Sequence, residues 1–235
     1  MSIRLSPRLS SAAQFVRQDA VFADIGTDHA YLPIFLLEAG RIRSAIASDI
    51  NKGPLESARR NAKERGLDGK MTFVLTDGAA ALADLGITDY AICGMGGELI
   101  ADIIAGASQL RDGSVRLILQ PMSKQADLRK YLYQNGFEIE RESYSQDAGK
   151  YYVTMAVKYT KAEREITNGE AELGLKIPDF VNKNAQIGYF KAKKNAFERR
   201  MCGKTLGGDD VENEVKLLAE INSFLELLEK YHAGT

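Results

Sequence analysis

The sequence contains few of the residues from which metal sites and disulfides are built. Its 235 residues include two cysteines and two histidines, and neither histidine stands near a cysteine with the spacing of zinc ligands. We therefore expect no metal and no disulfide. No apolar stretch approaches the roughly 18 residues that span a membrane, and residues 1–8 lack the apolar core of a signal peptide. We expect a cytoplasmic protein that has no membrane partner.

Excess charge of either sign is also absent. The formal net charge is −1, so the overall charge does not indicate a nucleic-acid partner. Hydrophobic residues make up 45% and charged residues 27% of the chain, as is usual for a globular protein. The length allows one α/β domain with an appendage. Nothing in the sequence indicates an obligatory protein partner.

Strand-like apolar runs alternate with helical patterns over the first two thirds of the chain, which predicts a mostly parallel sheet with helices on both faces. The five runs expected to be parallel strands are residues 21–24, 44–49, 71–75, 89–93 and 115–119. Helices are expected near 30–39, 53–66, 97–107 and 123–135. Two further runs, 138–144 and 151–158, predict an antiparallel edge hairpin with a turn over 145–150. Such a seven-stranded sheet is typical of the Rossmann-like α/β fold of S-adenosylmethionine-dependent methyltransferases.

A charged segment interrupts the apolar periodicity over residues 161–172, so we place a domain boundary near residue 160. The two expected domains are residues 1–160 and a helical domain of residues 161–235. Apolar residues then recur at steps of three and four over 187–201 and 211–225. This spacing predicts an antiparallel, coiled-coil-like helical hairpin with a turn at 207–210.

The loop after the first strand has one glycine where a dinucleotide site uses three. Asp24 and Asp28 flank this residue, Gly26, and an aspartate at position 28 would repel a pyrophosphate. A nicotinamide-linked oxidoreductase is therefore a distant alternative. S-adenosylmethionine carries an ammonium group and a sulfonium, for which carboxylates are suitable neighbours. The next two strands end in Asp49 and Asp77, which predicts contacts to ribose hydroxyls and to the adenine amino group, with a helix cap and a plain turn as the alternatives.

The fourth strand runs into Gly94-Met-Gly-Gly97, whose three glycines indicate close approach by a ligand or a backbone, or a tight turn alone. The segment lacks the Asn/Asp-Pro-Pro-aromatic sequence that is common in enzymes that methylate exocyclic amino groups. A ring nitrogen would not need this sequence to accept a methyl group. Cys93 is either a small buried hydrophobe or a target for thiol reagents. The predicted cofactor residues are Asp24, Gly26, Asp49, Ile50, Asp77, Gly78, Cys93, Gly94, Met95 and Gly96.

Methylation of adenine at N1 would make the ring cationic, so a nearby carboxylate would stabilise the developing charge or accept a proton from N6. Asp28 is the candidate for this role. His29 is expected to orient Asp28 or touch the substrate, although a lone histidine is as often structural. Tyr31 is expected either to stack on a base or to pack in the core. These three residues form the predicted catalytic group.

Five segments form a combination that is more specific than a generic cofactor loop: Leu5-Ser-Pro-Arg-Leu9, residues 23–33, residues 94–97, Leu117-Ile-Leu-Gln-Pro121 and Asp147-Ala-Gly-Lys-Tyr151. Together they resemble the bacterial tRNA (adenine-N1)-methyltransferase family that acts at tRNA position 22. The resemblance spans nearly the whole chain and implies methyl transfer from S-adenosylmethionine to N1 of a tRNA adenine. Met122 occupies a position where an Asn is expected in some relatives. A methyltransferase acting on another RNA, a small molecule or a protein, and a silent RNA-binding module, remain alternatives.

Seven basic residues and one acid lie between positions 183 and 204, and the following helix has the opposite balance. Either the two helices pair their charges, or the first contacts phosphate. Arg8 belongs to the N-terminal motif and is expected to lie across the cleft. The predicted tRNA contacts are Arg8, Gln120, Lys150, Lys191, Lys194 and Arg199.

Overall fold

Seven strands form one sheet at the centre of this computed structural model. The structure describes residues 3–175, 177, 179, 181–207 and 211–233, with only the backbone described at 205–207, 232 and 233. The strands are β1 (Ala20–Ile25), β2 (Ile42–Asp49), β3 (Met71–Leu75), β4 (Asp89–Gly96), β5 (Arg116–Ser123), β6 (Phe137–Asp147) and β7 (Lys150–Tyr159). The helices are α1 (Pro7–Ala13), α2 (Tyr31–Glu38), α3 (Lys52–Glu64), α4 (Gly97–Ala105), α5 (Gln125–Gln134), α6 (Asn168–Leu173), α7 (Lys183–Gly207) and α8 (Glu212–Ala233).

The strand order is β3-β2-β1-β4-β5-β7-β6. Strands β1 to β5 pair in parallel, β7 pairs antiparallel with β5, and β6 pairs antiparallel with β7. The chain winds outward from β1 to β3 and then returns to place β4 on the other side of β1. Open α/β sheets bind ligands outside the carboxyl ends of their strands at such a reversal. The fold therefore places a site at the ends of β1 and β4.

Buried apolar residues form two clusters, one on each face of the sheet. The first joins the sheet to α4, α5, α7 and α8, with Ile100, Leu128 and Phe190 among its members. The second joins the sheet to α1, α2 and α3, with Ala12 and Leu32 among its members. The predicted fold, a mostly parallel seven-stranded sheet with helices on both faces and an antiparallel edge hairpin, is confirmed.

The C-terminal helices pack on the edge hairpin through aromatic side chains. The ring of Tyr144 in β6 lies 5.1 Å from that of Tyr189 and 5.7 Å from that of Phe190, measured between centroids. Phe190 of α7 also meets Phe224 of α8 at 5.0 Å. The helices therefore share a hydrophobic core with the sheet. The division into two domains at residue 160 stays a prediction.

A buried ion pair strengthens the same junction. Arg129 of α5 and Glu142 of β6 have side chains that are 0% and 2% exposed, and Arg129 Nε and Nη2 each lie 2.8 Å from Glu142 Oε1. Arg129 also donates to the Ala171 carbonyl, and Glu142 accepts from the Leu175 backbone amide. These contacts link α5, β6 and the segment around α6 without leaving either charge unpaired.

The predicted hairpin turn over 145–150 is wrong in length. Strands β6 and β7 pair as far as Asp147 and Lys150, so the turn consists of Ala148 and Gly149. Both turn residues have positive φ, 47° and 76°, as a tight two-residue hairpin requires. The turn predicted at 207–210 lies, from residue 208 onward, outside the described residues.

Two short helices were not predicted from the sequence. The hydroxyl of Ser6 caps α1, and proline occupies the first position of that helix. Thr167 and Glu170 form a reciprocal capping box at the start of α6. In the described part of the chain, no helix has the length and apolarity needed to cross a membrane.

Candidate active site

A cavity of about 520 Å³ opens at the carboxyl ends of β1 and β4. Its walls are residues between Arg4 and Leu9, Asp24, the loop from Gly26 to Leu32, and Cys93 with Gly94. The volume lies in the range of small-molecule sites. The structure thus brings eight of the predicted residues into one cavity, including the whole predicted catalytic group. They are Arg8, Asp24, Gly26, Asp28, His29, Tyr31, Cys93 and Gly94.

Asp24 is the buried acid of this cavity. Its carboxylate accepts a hydrogen bond from the Thr27 hydroxyl at 2.7 Å, and none of the ion pairs among the described residues includes it. Burial raises the pKa of Asp24 from 3.8 to about 6, the Thr27 bond opposes the rise, and the nearby Asp49 carboxylate adds to it. The anion is therefore costly at this position and would be relieved by a cationic ligand.

Glycines let backbone line the cavity on both sides. Gly26 has φ +73° and Gly94 has φ +80°, a conformation that residues with a side chain rarely adopt. The Met95 side chain lies over Gly26, and Gly96 begins the connection to α4. Glycine is needed at position 97 for a different reason, because a Cβ at this position would overlap the Lys124 carbonyl. Both a tight turn and a close backbone approach thus account for this glycine-rich segment.

The predicted catalytic residues lie together at the mouth of the cavity. The Asp28 side chain is 76% exposed, and its Oδ2 lies 3.2 Å from His29 Nε2. The ring of His29 is stacked on that of Tyr31 at 5.2 Å. Ala30, between them, has φ +56° and caps α2 without a side-chain hydrogen bond. Asn61 of α3 donates to the His29 carbonyl at 3.0 Å and so holds this loop.

The other predicted cofactor residues lie outside the first cavity. Asp77 and Gly78 line a second cavity of about 240 Å³ together with Leu99, Asp102 and Ile103 of α4. Asp49 ends β2, and its Oδ1 accepts from the Asn51 backbone amide at 2.7 Å. The neighbouring Ile50 is 60% exposed and lines neither cavity.

Cys93 is half-buried at the end of β4, and burial together with the Asp24 carboxylate raises the pKa of its thiol well above the ordinary value. Because the thiolate is the reactive form, this environment disfavours reaction with electrophiles. The sensitivity of Cys93 to thiol reagents stays a prediction.

The predicted RNA contacts fall into three places. Arg8 lines the first cavity, where Nη1 donates to the fully buried Gln120 at 2.9 Å. Lys150 is exposed at the start of β7, beside the hairpin turn. The remaining three, Lys191, Lys194 and Arg199, lie on α7.

Charge pairing accounts for part of the basic helix. Lys191 pairs with Glu229 across the helical hairpin at 3.0 Å, and Lys194 lies 3.9 Å from Glu198 on its own helix. Lys204 pairs with Glu214 at 2.7 Å. Arg199 is exposed and takes part in no ion pair among the described residues. Of the three RNA contacts predicted on α7, only Arg199 therefore has no acidic partner among the described residues that would compete with phosphate.

Some residues of the site were not predicted. Thr27 bonds the buried Asp24, Asn61 holds the His29 loop, and Leu99 with Ile103 walls the second cavity. Leu99 and Ile103 stand four positions apart on α4, so the helical period places them on one face. That spacing was a usable signal, whereas nothing in the sequence links Asn61 to His29.

Comparison with known proteins decides the family. A family profile described as "Methyltransferase domain" matches residues 5–155, more than half of the chain. The tRNA (adenine(22)-N(1))-methyltransferase of Bacillus subtilis is 28% identical over 230 residues, 97% of each chain. The protein belongs to the bacterial tRNA (adenine-N1)-methyltransferase family. Two solved structures agree with this membership.

The first is a Streptococcus pneumoniae protein in complex with S-adenosyl-L-methionine, with 33% identity, a TM-score of 0.80, and coverage of 94% of this chain and 100% of that one. The second is M. capricolum TrmK in complex with S-adenosyl-homocysteine, with 28% identity, a TM-score of 0.71 and 97% coverage of both chains. These complexes support the predicted cofactor class.

The site of this methyltransferase fits S-adenosylmethionine on its own geometry. A buried carboxylate, Asp24, has no cationic partner among the described residues, and backbone is open at Gly26 and Gly94. The cavity volume is sufficient for part of a nucleoside ligand, and a second cavity follows at Asp77. Among the described residues, no group of three or more potential ligands could hold a metal ion.

Proposed function

We propose that this protein transfers a methyl group from S-adenosylmethionine to N1 of the adenine at tRNA position 22. The observation that carries the proposal is the first cavity, which is lined by the buried Asp24, the half-buried His29 and the exposed Asp28 and Tyr31. Family membership supplies the substrate, because the B. subtilis relative is named for this reaction. We expect the reaction to take place in the cytoplasm.

Each strand end contributes one part of the proposed cofactor site. Asp24 pairs with the ammonium group, and the Gly26 and Gly94 backbones approach the methionine portion. The free oxygen of Asp49 accepts from the ribose hydroxyls, beside Ile50. Asp77 accepts from the adenine amino group, while Gly78 leaves room for the ring. When bound, the cofactor supplies an electrophilic methyl group on a sulfonium.

The target adenine would be recognised at the mouth of the cavity. The ring of Tyr31 is 45% exposed and offers a face for stacking, and an adenine extruded from the tRNA would reach it. The N1 lone pair forms the new N–C bond as the C–S bond breaks, and the sulfur keeps that electron pair. The positive charge passes to the adenine ring, where the Asp28 carboxylate stabilises it or accepts a proton from N6. His29 orients that carboxylate.

Outside the cavity, tRNA would be held by phosphate contacts. Lys150 extends beside the hairpin turn, and Arg199 is free to meet phosphate. Lys191 and Lys194 must exchange an acidic partner for a phosphate, which reduces their net gain. These contacts give salt-dependent affinity and little sequence information.

The function is tested with labelled S-adenosylmethionine and two tRNAs that differ only in adenine or guanine at position 22. We expect 1-methyladenosine in the first and no label in the second. Equal labelling of both tRNAs would leave a methyltransferase with another target. No labelling of either, with cofactor binding intact, would favour the silent RNA-binding module.

The role of Asp28 is tested by Asp28→Asn, which removes the charge and keeps the shape. We expect turnover to fall about 100-fold or more, because stabilisation of developing charge contributes on this scale. The affinity for S-adenosyl-homocysteine should be unchanged, since Asp28 is exposed at the cavity mouth. Normal turnover would remove Asp28 from the chemistry.

A further inference from the structure

Two arginines line the first cavity, the exposed Arg4 and Arg8, which is the one that contacts a buried side chain. Arg8 is half-buried, and the same cavity is lined by Asp24 and Asp28. A Cβ at Gly94 would lie 3.3 Å from Arg8 Nη1, so the guanidinium covers the glycine backbone at the end of β4. The charge of Arg8 also reaches the Cys93 thiol, whose pKa it lowers against the effect of burial. Arg8 therefore faces the depth of the site.

The guanidinium is held in place by a neutral group. Its Nη1 donates to Oε1 of Gln120 at 2.9 Å, and Gln120 is fully buried. The Gln120 amide nitrogen donates in turn to the Pro121 carbonyl at 3.2 Å, which fixes the orientation of the amide. None of the ion pairs within the described residues includes Arg8. A positioned guanidinium thus keeps most of its donors and its whole charge for a ligand.

We propose that Arg8 binds the α-carboxylate of the methionine portion of S-adenosylmethionine, with Gln120 as its positioning residue. The proposal rests on the proposed function, because it assumes that this cofactor binds in the first cavity. The methionine portion carries one cationic and one anionic group, and the cavity offers the buried anion Asp24 and the positioned cation Arg8. A planar guanidinium is suited to a carboxylate because it donates two parallel hydrogen bonds. This role replaces the RNA contacts expected of Arg8 and Gln120 from the sequence.

RNA phosphate is the competing anion for Arg8. A phosphate contact would need the guanidinium at the outer surface, yet Arg8 is directed toward Gly94 and Cys93 by the buried Gln120. Exposed cations such as Lys150 and Arg199 are better placed for phosphate. The cofactor carboxylate is therefore the partner that the contacts of Arg8 favour.

The test compares two ligands that differ only by the carboxylate, S-adenosylmethionine and decarboxylated S-adenosylmethionine. Calorimetry is performed on the full chain, without tRNA, for the natural protein, Arg8→Gln and the matched control Arg60→Gln, which removes an exposed arginine of α3. We expect Arg8→Gln to lose about tenfold or more in affinity for S-adenosylmethionine, the scale of a lost charge-assisted pair. Affinity for the decarboxylated ligand should stay within about twofold, and Arg60→Gln should match the natural protein with both ligands.

Three results would overturn the proposal. The first is that the natural protein binds the two ligands with equal affinity. The second is that Arg8→Gln binds S-adenosylmethionine as the natural protein does. The third is that Arg8→Gln loses affinity for both ligands by the same factor. A raised KM for tRNA with cofactor affinity intact would assign Arg8 to phosphate instead. Because the measurement needs no methyl transfer, a failure of the proposed tRNA activity leaves its outcome readable.

A second variant tests positioning by Gln120. Gln120→Leu keeps the buried volume and removes the acceptor of the Arg8 bond. We expect weaker binding of S-adenosylmethionine, by less than in Arg8→Gln, with the decarboxylated ligand unaffected. A loss that is the same for both ligands would show a structural role for Gln120 and would contradict the positioning role.

Discussion

Asp24→Asn is expected to stabilise the protein while weakening its hold on the cofactor. The carboxylate is buried and has no cationic partner among the described residues, so its negative charge is costly in the folded state. An asparagine keeps the oxygen that accepts from the Thr27 hydroxyl and carries no charge. The folded protein without cofactor should therefore gain stability from the substitution.

The magnitude follows from the pKa of Asp24, which burial raises from 3.8 to about 6. In the natural protein, Asp24 is protonated in both the folded and the unfolded state below its unfolded pKa of 3.8, so its charge costs no stability at that pH. As pH rises the unfolded chain loses its proton first, and stability falls until the folded state also ionises near pH 6. At about 1.4 kcal/mol for each pH unit, the penalty at neutral pH is about 3 kcal/mol.

The assay is urea unfolding of the protein without cofactor between about pH 4 and pH 8. Asp24→Asn should be more stable than the natural protein at the upper end, by up to about 3 kcal/mol, and equal to it at the lower end. Asp28→Asn, at an exposed position of the same cavity, is the matched control and should change stability little. A stability difference that does not vary with pH, or an Asp24→Asn protein that is less stable at neutral pH, would refute the reasoning. Its affinity for S-adenosylmethionine should fall, since the proposed partner of the ammonium group is gone.

Three further predictions concern the junction, the loop and the thiols. Glu142→Gln leaves the buried Arg129 charge uncompensated and should lower the free energy of unfolding by about 3–5 kcal/mol. Arg129→Met combined with Glu142→Leu should recover most of that stability. A loss below about 1 kcal/mol in Glu142→Gln would contradict the importance of the pair. Ala30→Gly should raise stability by about 1 kcal/mol, because Ala30 has φ +56°, and urea unfolding checks this. Iodoacetamide labelling read by mass spectrometry should modify the exposed Cys202 before Cys93, whose thiol pKa is raised, and the opposite order would contradict the assigned environment.

The sheet was predictable because its strands are continuous apolar runs bounded by turn residues. Strand β3 has the predicted bounds, and the others differ mainly at their ends. Strand β5 extends past the predicted end to Ser123, because Gln120, Pro121 and Ser123 continue to pair with β4. Those residues are polar or proline, so their strand conformation depends on a neighbouring strand and not on their own pattern. The short helices α1 and α6 were missed although each begins with a recognisable cap.

The site was predictable where function depends on chain position, and less so where it depends on side-chain direction. The acids at the ends of successive strands and the glycine-rich loop are positional features, and the structure brings Asp24, Gly26 and Gly94 into one cavity. Gln120 has a strand-end position too, yet its side chain is fully buried. Which way a side chain points at the end of a strand depends on helix α1 packing nearby, and the sequence does not specify that contact.

The packing of the last two helices on the edge hairpin limits how this enzyme could be rebuilt. Tyr144 of β6 and Val153 of β7 are buried in the cluster that includes Phe190 and Ile221 of the helices. A chimaera that joined this sheet to the tail of another protein would leave those strand residues facing water and expose a surface prone to aggregation. Any exchange of substrate-recognition parts would have to move the hairpin and both helices as one unit.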